Sequence, residues 1–61
     1  MIPEIHDLVA VTENYVDYYG YVAALDLDVR FPMVKVEFFP GKSRWFELKN
    51  VRPVKFPEDN R

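Results

Sequence analysis

Few side chains in this 61-residue chain could carry out polar chemistry. It has no cysteine and a single histidine, His6, which excludes disulfides, thiolate metal sites and multi-histidine sites. Ser43 and Thr12 are the only aliphatic hydroxyls. A nucleophile needs a nearby base and a group that orients it, and nothing in the sequence holds His6 beside either hydroxyl. Asp26 and Asp28 stand two apart and would share a face if their strand continued. Calcium wants about six to eight oxygen ligands, and no loop of that pattern surrounds them, so they read as solvated strand-end carboxylates. Gly20 and Gly41 are isolated and form no phosphate-cradling loop. The expectation is a non-enzymatic chain with no catalytic residue, metal or cofactor.

Aromatic rings and charge are what remain. Ten aromatics are present: Trp45, Tyr15, Tyr18, Tyr19, Tyr21, Phe31, Phe38, Phe39, Phe46 and Phe56. Each can bury about 150–250 Å², so they can build a core from few residues, but ten exceed what so short a chain can enclose. Some must lie on the surface, where Trp, Tyr and Arg dominate binding hot spots. Charge is divided along the chain. Residues 1–28 carry six acids and no lysine or arginine, and residues 29–61 carry eight bases and four acids. Two readings follow: a polarised partner surface, or halves that neutralise each other when folded.

The elements that must position these residues are short strands. A chain this size buries only about 60% of its unfolded surface and forms one domain. Residues 1–7 read as an N-terminal arm, residues 8–56 as the folded unit and residues 57–61 as a frayed tail. A first strand spans residues 8–12, with Val9 and Val11 inward and Leu8 and Ala10 opposite. Residues 13–17 read as a polar loop containing Asn14 and Tyr15. The second strand covers residues 19–26, where Gly20 predicts a bulge or a close backbone approach. Helical apolar spacing occurs in places between residues 9 and 25, but β-branched residues, tyrosines and Gly20 favour strand. After a connection at 27–32, Pro32 restarts an extended segment. Residues 33–39 alternate, with Val34, Val36 and Phe38 on one face. Pro40-Gly41 suits a type II turn. Residues 44–48 place Arg44, Phe46 and Leu48 on one face and Trp45 and Glu47 on the other. A turn near residues 49–50, with 3₁₀ character, leads to a last strand at 51–56.

Five short strands, a bulged second strand, a tight hairpin and a turn before the last strand resemble the SH3-like barrel superfamily, which includes Tudor and KOW domains. The segment GYVAALDLDVRFPMVKVEF is similar to the second and third strands of the peripheral SH3-like subunit IV of photosystem I. That family has a G-x-V-A-x-x-D run, an aromatic-Pro step and V-x-V-x-F. Gly20, Val22, Ala23, Asp26, Phe31, Pro32, Val34, Val36 and Phe38 occupy comparable places, and Phe46, Leu48 and Val51 match its closing F-x-L-x-x-V. The family's first strand carries bases that help dock acidic ferredoxin, whereas DLVAVTE here has none. The resemblance therefore implies an all-β, single, small five-stranded SH3-like barrel and not the docking role.

In SH3-like folds the first loop and the hairpin of the third and fourth strands border a common groove. The resemblance places Tyr15, Tyr18, Tyr21, Phe39, Arg44 and Trp45 at such a partner-binding groove, with Glu13 and Asp17 as an acidic rim. The expected function is a protein-interaction module: a cytoplasmic accessory subunit of a larger complex, or a phage-encoded or bacterial modulator, encoded as a complete small reading frame. A rival reading uses Lys35, Lys42, Arg44, Lys49 and Arg52 around the same hairpin to hold nucleic-acid phosphates while rings stack on bases. A pI near 5.2 argues against it, since dedicated nucleic-acid binders usually exceed about 9. A peripheral photosystem subunit is the third reading. The longest apolar run falls far short of a membrane span, and the start MIPEIHDLV has no basic leader.

Overall fold

A computed structural model describes residues 2–28, 30–39 and 41–54. The chain folds as five antiparallel strands: β1 (Leu8–Glu13), β2 (Val16–Asp26), β3 (Met33–Phe39), β4 (Lys42–Glu47) and β5 (Val51–Pro53), with one 3₁₀ turn at Leu48–Asn50. Their order in the sheet is β4-β3-β2-β1-β5. No helix among the described residues is long and apolar enough to cross a membrane. The expected all-β class and five strands are observed. A closed cylinder is not, because β4 and β5 are the two edges of the sheet and do not pair with each other. The sheet coils instead. Phe46 from one edge and Val51 from the other enter the same core as Val9, Val11, Val22, Val34 and Val36, with Leu25, Phe38 and Leu48 packed against it.

Period-two alternation accounts for this core. Val9 and Val11, and Val34 and Val36, are fully or almost fully buried on their expected face. Ala10, on the opposite face, is also buried. It lies in register between Tyr19 and Arg52, whose long side chains flank a small one. The β1–β2 connection differs from the expected five-residue loop. Glu13 pairs with Val16 and Thr12 with Asp17, leaving a two-residue turn at Asn14-Tyr15 with φ of +52° and +66°. Positive φ at both central residues is the signature of a type I′ hairpin, whose twist matches that of the strands. Polarity had marked residues 13–17 as loop, but cross-strand pairing extends β2 by three residues at its start.

Gly20 and the bulge are separate features. The register of β2 against β3 shifts between Val22 and Ala24, so Ala23 is the extra residue. It reverses the alternation, and Leu25 rather than Ala24 then faces Val34 across the core side. Gly20 instead serves close approach: a Cβ there would lie 2.7 Å from the Glu37 carbonyl oxygen and 2.8 Å from Val36 Cγ1. At the second hairpin Gly41 has φ +81°, the value a type II turn requires at its third position.

Both ends of the chain are tied to the sheet where they are described. The Glu4 and Asp7 backbones close a turn, with Asp7 N–H donating to Glu4 O at 3.0 Å and Glu4 N–H to Asp7 Oδ2 at 2.9 Å. The His6 N–H donates to Val22 O, and the Val22 N–H to Asp7 O. The segment expected as an arm thus lies along β2, with Pro3 buried and His6 exposed. The last strand ends its regular pairing at Pro53, and the Val54 N–H still donates to Leu8 O. Lys55, Phe56 and the tail at 57–61 lie outside the described residues.

Candidate partner-binding groove

The coil of the sheet leaves its concave side open between the tip of the β1–β2 hairpin and the start of β4. There Glu13, Tyr18, Phe38, Gly41, Lys42, Arg44 and neighbouring atoms of Ser43 and Phe46 line a cavity of about 460 Å³. Three rings form its floor. Tyr18 meets Phe38 edge-to-face at 6.3 Å between centroids, and Phe38 meets Phe46 likewise at 5.9 Å, the T-shaped geometry that aromatic quadrupoles favour. The rings converge for local reasons. Tyr18 lies in phase with Gly20 and Val22 on the concave face, Gly20 leaves room for Phe38, and Val34 and Phe46 are cross-strand partners.

The rim is charged. Arg44 donates Nη1–H to Glu13 Oε1 at 3.1 Å and Nη2–H to Glu13 Oε2 at 2.6 Å, a fork-to-carboxylate pair of the strong bidentate kind. Its guanidinium carbon also stands 4.8 Å from the Phe46 ring centroid, a cation–π arrangement. β1 and β4 are not sheet neighbours, so this pair spans the open side of the coil. The hydrogen bonds from Arg44 hold the Glu13 carboxyl below the usual range and raise the Arg44 guanidinium above its own.

The expected site divides between two faces. Tyr18 and Arg44 line the groove. Tyr15 stands at the hairpin tip with 102% relative exposure. Tyr21 pairs in register with Glu37, and Trp45 with Lys35, which puts both on the convex side, where Trp45 is 45% exposed. Phe39 pairs with Lys42, and its side chain lies outside the described residues. Glu13 belongs to the rim as expected, but Asp17 does not. Asp17 accepts the Thr12 hydroxyl at 2.6 Å and meets Arg52 at 3.5 Å, while Arg52 also donates to Thr12. The Thr12 bond, ahead of Arg52, holds the Asp17 carboxyl low. The sequence placed Phe38 on a face with Val34 and Val36, and Phe46 with Arg44 and Leu48, and named neither for the groove. The register of β3 against β4 shifts between Glu37 and Phe39, so Phe38 has no cross-strand partner on β4; it is half-buried and becomes floor.

The bases expected for nucleic acid are dispersed. Lys35 lies between Ala24 and Trp45 on the convex face, Lys42 is on the groove rim, and Lys49 pairs with Glu47 at 3.5 Å. Arg44 and Arg52 are engaged by Glu13 and Asp17. Two acids of the acidic half thus neutralise two bases of the basic half. A second, smaller apolar cavity of about 240 Å³ opens beside Phe31, Pro32 and Leu48 at another part of the surface, where the Leu48 N–H donates to Pro32 O. Among the described residues no three metal-ligating side chains cluster. No protein-family model, curated protein sequence or solved structure matches the chain.

Proposed function

We propose that the chain is a non-enzymatic protein-interaction module of SH3-like barrel type, which takes an extended segment of a larger protein into the concave groove. Five short antiparallel strands, a bulged β2 and a 3₁₀ turn before the last strand support the fold assignment, since these are the features by which the sequence resembles SH3-like barrels. The observation that carries the function is the ring floor of Tyr18, Phe38 and Phe46 beside a charged rim. Apolar concavities with a few convergent polar groups are the usual form of binding sites. The dispersal and pairing of the bases favour this reading over the nucleic-acid one, because phosphate binding needs cations that face one way and are free to release counterions.

The test is capture from a lysate of the source organism on immobilised protein, read by mass spectrometry. It compares the wild-type chain with a groove variant, Tyr18→Ala, and a convex-face variant, Trp45→Ala, each checked for a cooperative melt. A protein captured by wild type and Trp45→Ala but lost with Tyr18→Ala is expected. Salt-sensitive recovery of RNA or DNA in place of protein would overturn the reading. Capture that depends on Trp45 and not Tyr18 would move the site to the convex face.

A further inference from the structure

We infer that the groove recognises a side-chain carboxylate on its partner through Arg44, and that Glu13 is the chain's own stand-in for that carboxylate. This rests on the interaction reading above. Arg44 is already presented as a receptor: its fork is satisfied by both oxygens of one carboxylate, and its guanidinium carbon stands over the Phe46 ring. The ring orients the guanidinium whichever carboxylate fills the fork, so little ordering remains to be done on binding. The Glu13–Arg44 pair is open to solvent, with side-chain exposures of 38% and 60%. Exposed ion pairs add little to stability, so exchanging Glu13 for an incoming acid is cheap.

Charge and shape identify the occupant. Among the described residues Glu13 is the only acid lining the groove, against Lys42 and Arg44. Once Glu13 swings away, two cations face an aromatic floor with no acid among the described lining residues. A fitting ligand therefore places an apolar side chain on Tyr18, Phe38 and Phe46 and an Asp or Glu on Arg44. Glu13 reaches the fork from the end of an extended strand. An Asp or Glu within an extended peptide segment reproduces that approach, which a chain-terminal carboxylate does not.

The experiment pans a random-peptide display library on the full chain. Selected peptides are then synthesised with the acid intact, with the acid converted to its amide, and with an amidated C-terminus, and titrated by fluorescence anisotropy. The expected selection is an apolar residue within a few positions of Asp or Glu. Converting that acid to the amide should weaken binding about two- to fivefold, because the incoming acid replaces Glu13 in an exposed pair, and C-terminal amidation should have no effect. Glu13→Gln should bind about two- to fivefold more tightly, the range set by removing a competing exposed ion pair, and Arg44→Lys should bind more weakly because the fork is gone. The wild-type peptide comparisons stand even if a variant melts early. Selected peptides that bind without an acid, binding abolished by C-terminal amidation, or unchanged affinity in Glu13→Gln would each overturn the inference while leaving the groove as a protein site. A library that yields no binder would overturn both.

Discussion

Gly20→Ala tests the coil that builds the groove. A Cβ at this position would lie 2.7 Å from the Glu37 carbonyl oxygen, 2.8 Å from Val36 Cγ1 and 3.1 Å from Phe38 Cδ1. Two of these are side chains, but Val36 is fully buried and has no free rotamer space to retreat into. The third is backbone of the neighbouring strand, so relief requires β2 and β3 to move apart. Overpacking of this kind costs about 1–3 kcal/mol. Replacing glycine by alanine returns about 0.4–1 kcal/mol by restricting the unfolded chain, because Gly20 does not need a positive φ. The net expectation is a loss of about 1–2 kcal/mol. In a domain this small, about 1 kcal/mol moves the midpoint by about 4–8 °C, so the variant should melt roughly 5–15 °C lower. Urea denaturation followed by Trp45 fluorescence should give a lower midpoint with an unchanged slope. A variant as stable as wild type, or more so, would show that β3 does not approach β2 this closely and would remove the reason for Phe38 reaching the groove floor.

Two further outcomes are expected. Tyr15 holds φ +66° at the hairpin tip while its ring is wholly in solvent; the left-handed region costs an L-residue about 1–2 kcal/mol, so Tyr15→Gly should stabilise the fold by about 0.5–1 kcal/mol after the entropic cost of glycine. A lower urea midpoint would contradict the turn geometry. The Glu13 and Asp17 carboxyls are held low, by Arg44 and by Thr12 respectively, so their contribution to stability is complete above the ordinary carboxylate values of about 4.3 and 3.9 and fades as pH falls through the lowered values of the folded state. Because exposed pairs contribute little, melting temperature should hold between neutrality and about pH 5 and fall only slightly below about pH 4 through these two groups, and the double variant Glu13→Gln, Asp17→Asn should make that fall shallower; a steeper acid limb in the double variant would contradict the two pairings.

Local chemistry alone determined much of this molecule. The alternation of Val34, Val36 and Phe38, glycine after proline at position 41 and the 3₁₀ turn before Val51 are all legible because each depends on neighbours a few residues away. Asn14 likewise announced a turn. Its two-residue form was decided by Thr12 pairing with Asp17 and Glu13 with Val16, contacts that outweigh the polarity of the segment. Gly20 announced a bulge or a close backbone approach; the structure shows the close approach there, while the bulge lies at Ala23, where it reconciles the pairing of Val22 with Val36 and Leu25 with Val34.

The site depended on more distant relations. Alternation says which residues share a face, but not which face closes over the core and which opens to a partner. That choice separated Tyr18 and Arg44 from Tyr21 and Trp45, which the sequence had grouped together. Glu13 and Arg44 are 31 residues apart and on strands that are not neighbours in the sheet. Only the coil of the whole sheet, permitted by the missing side chain at Gly20 and the phase change at Ala23, brings them within hydrogen-bond distance over the Phe46 ring.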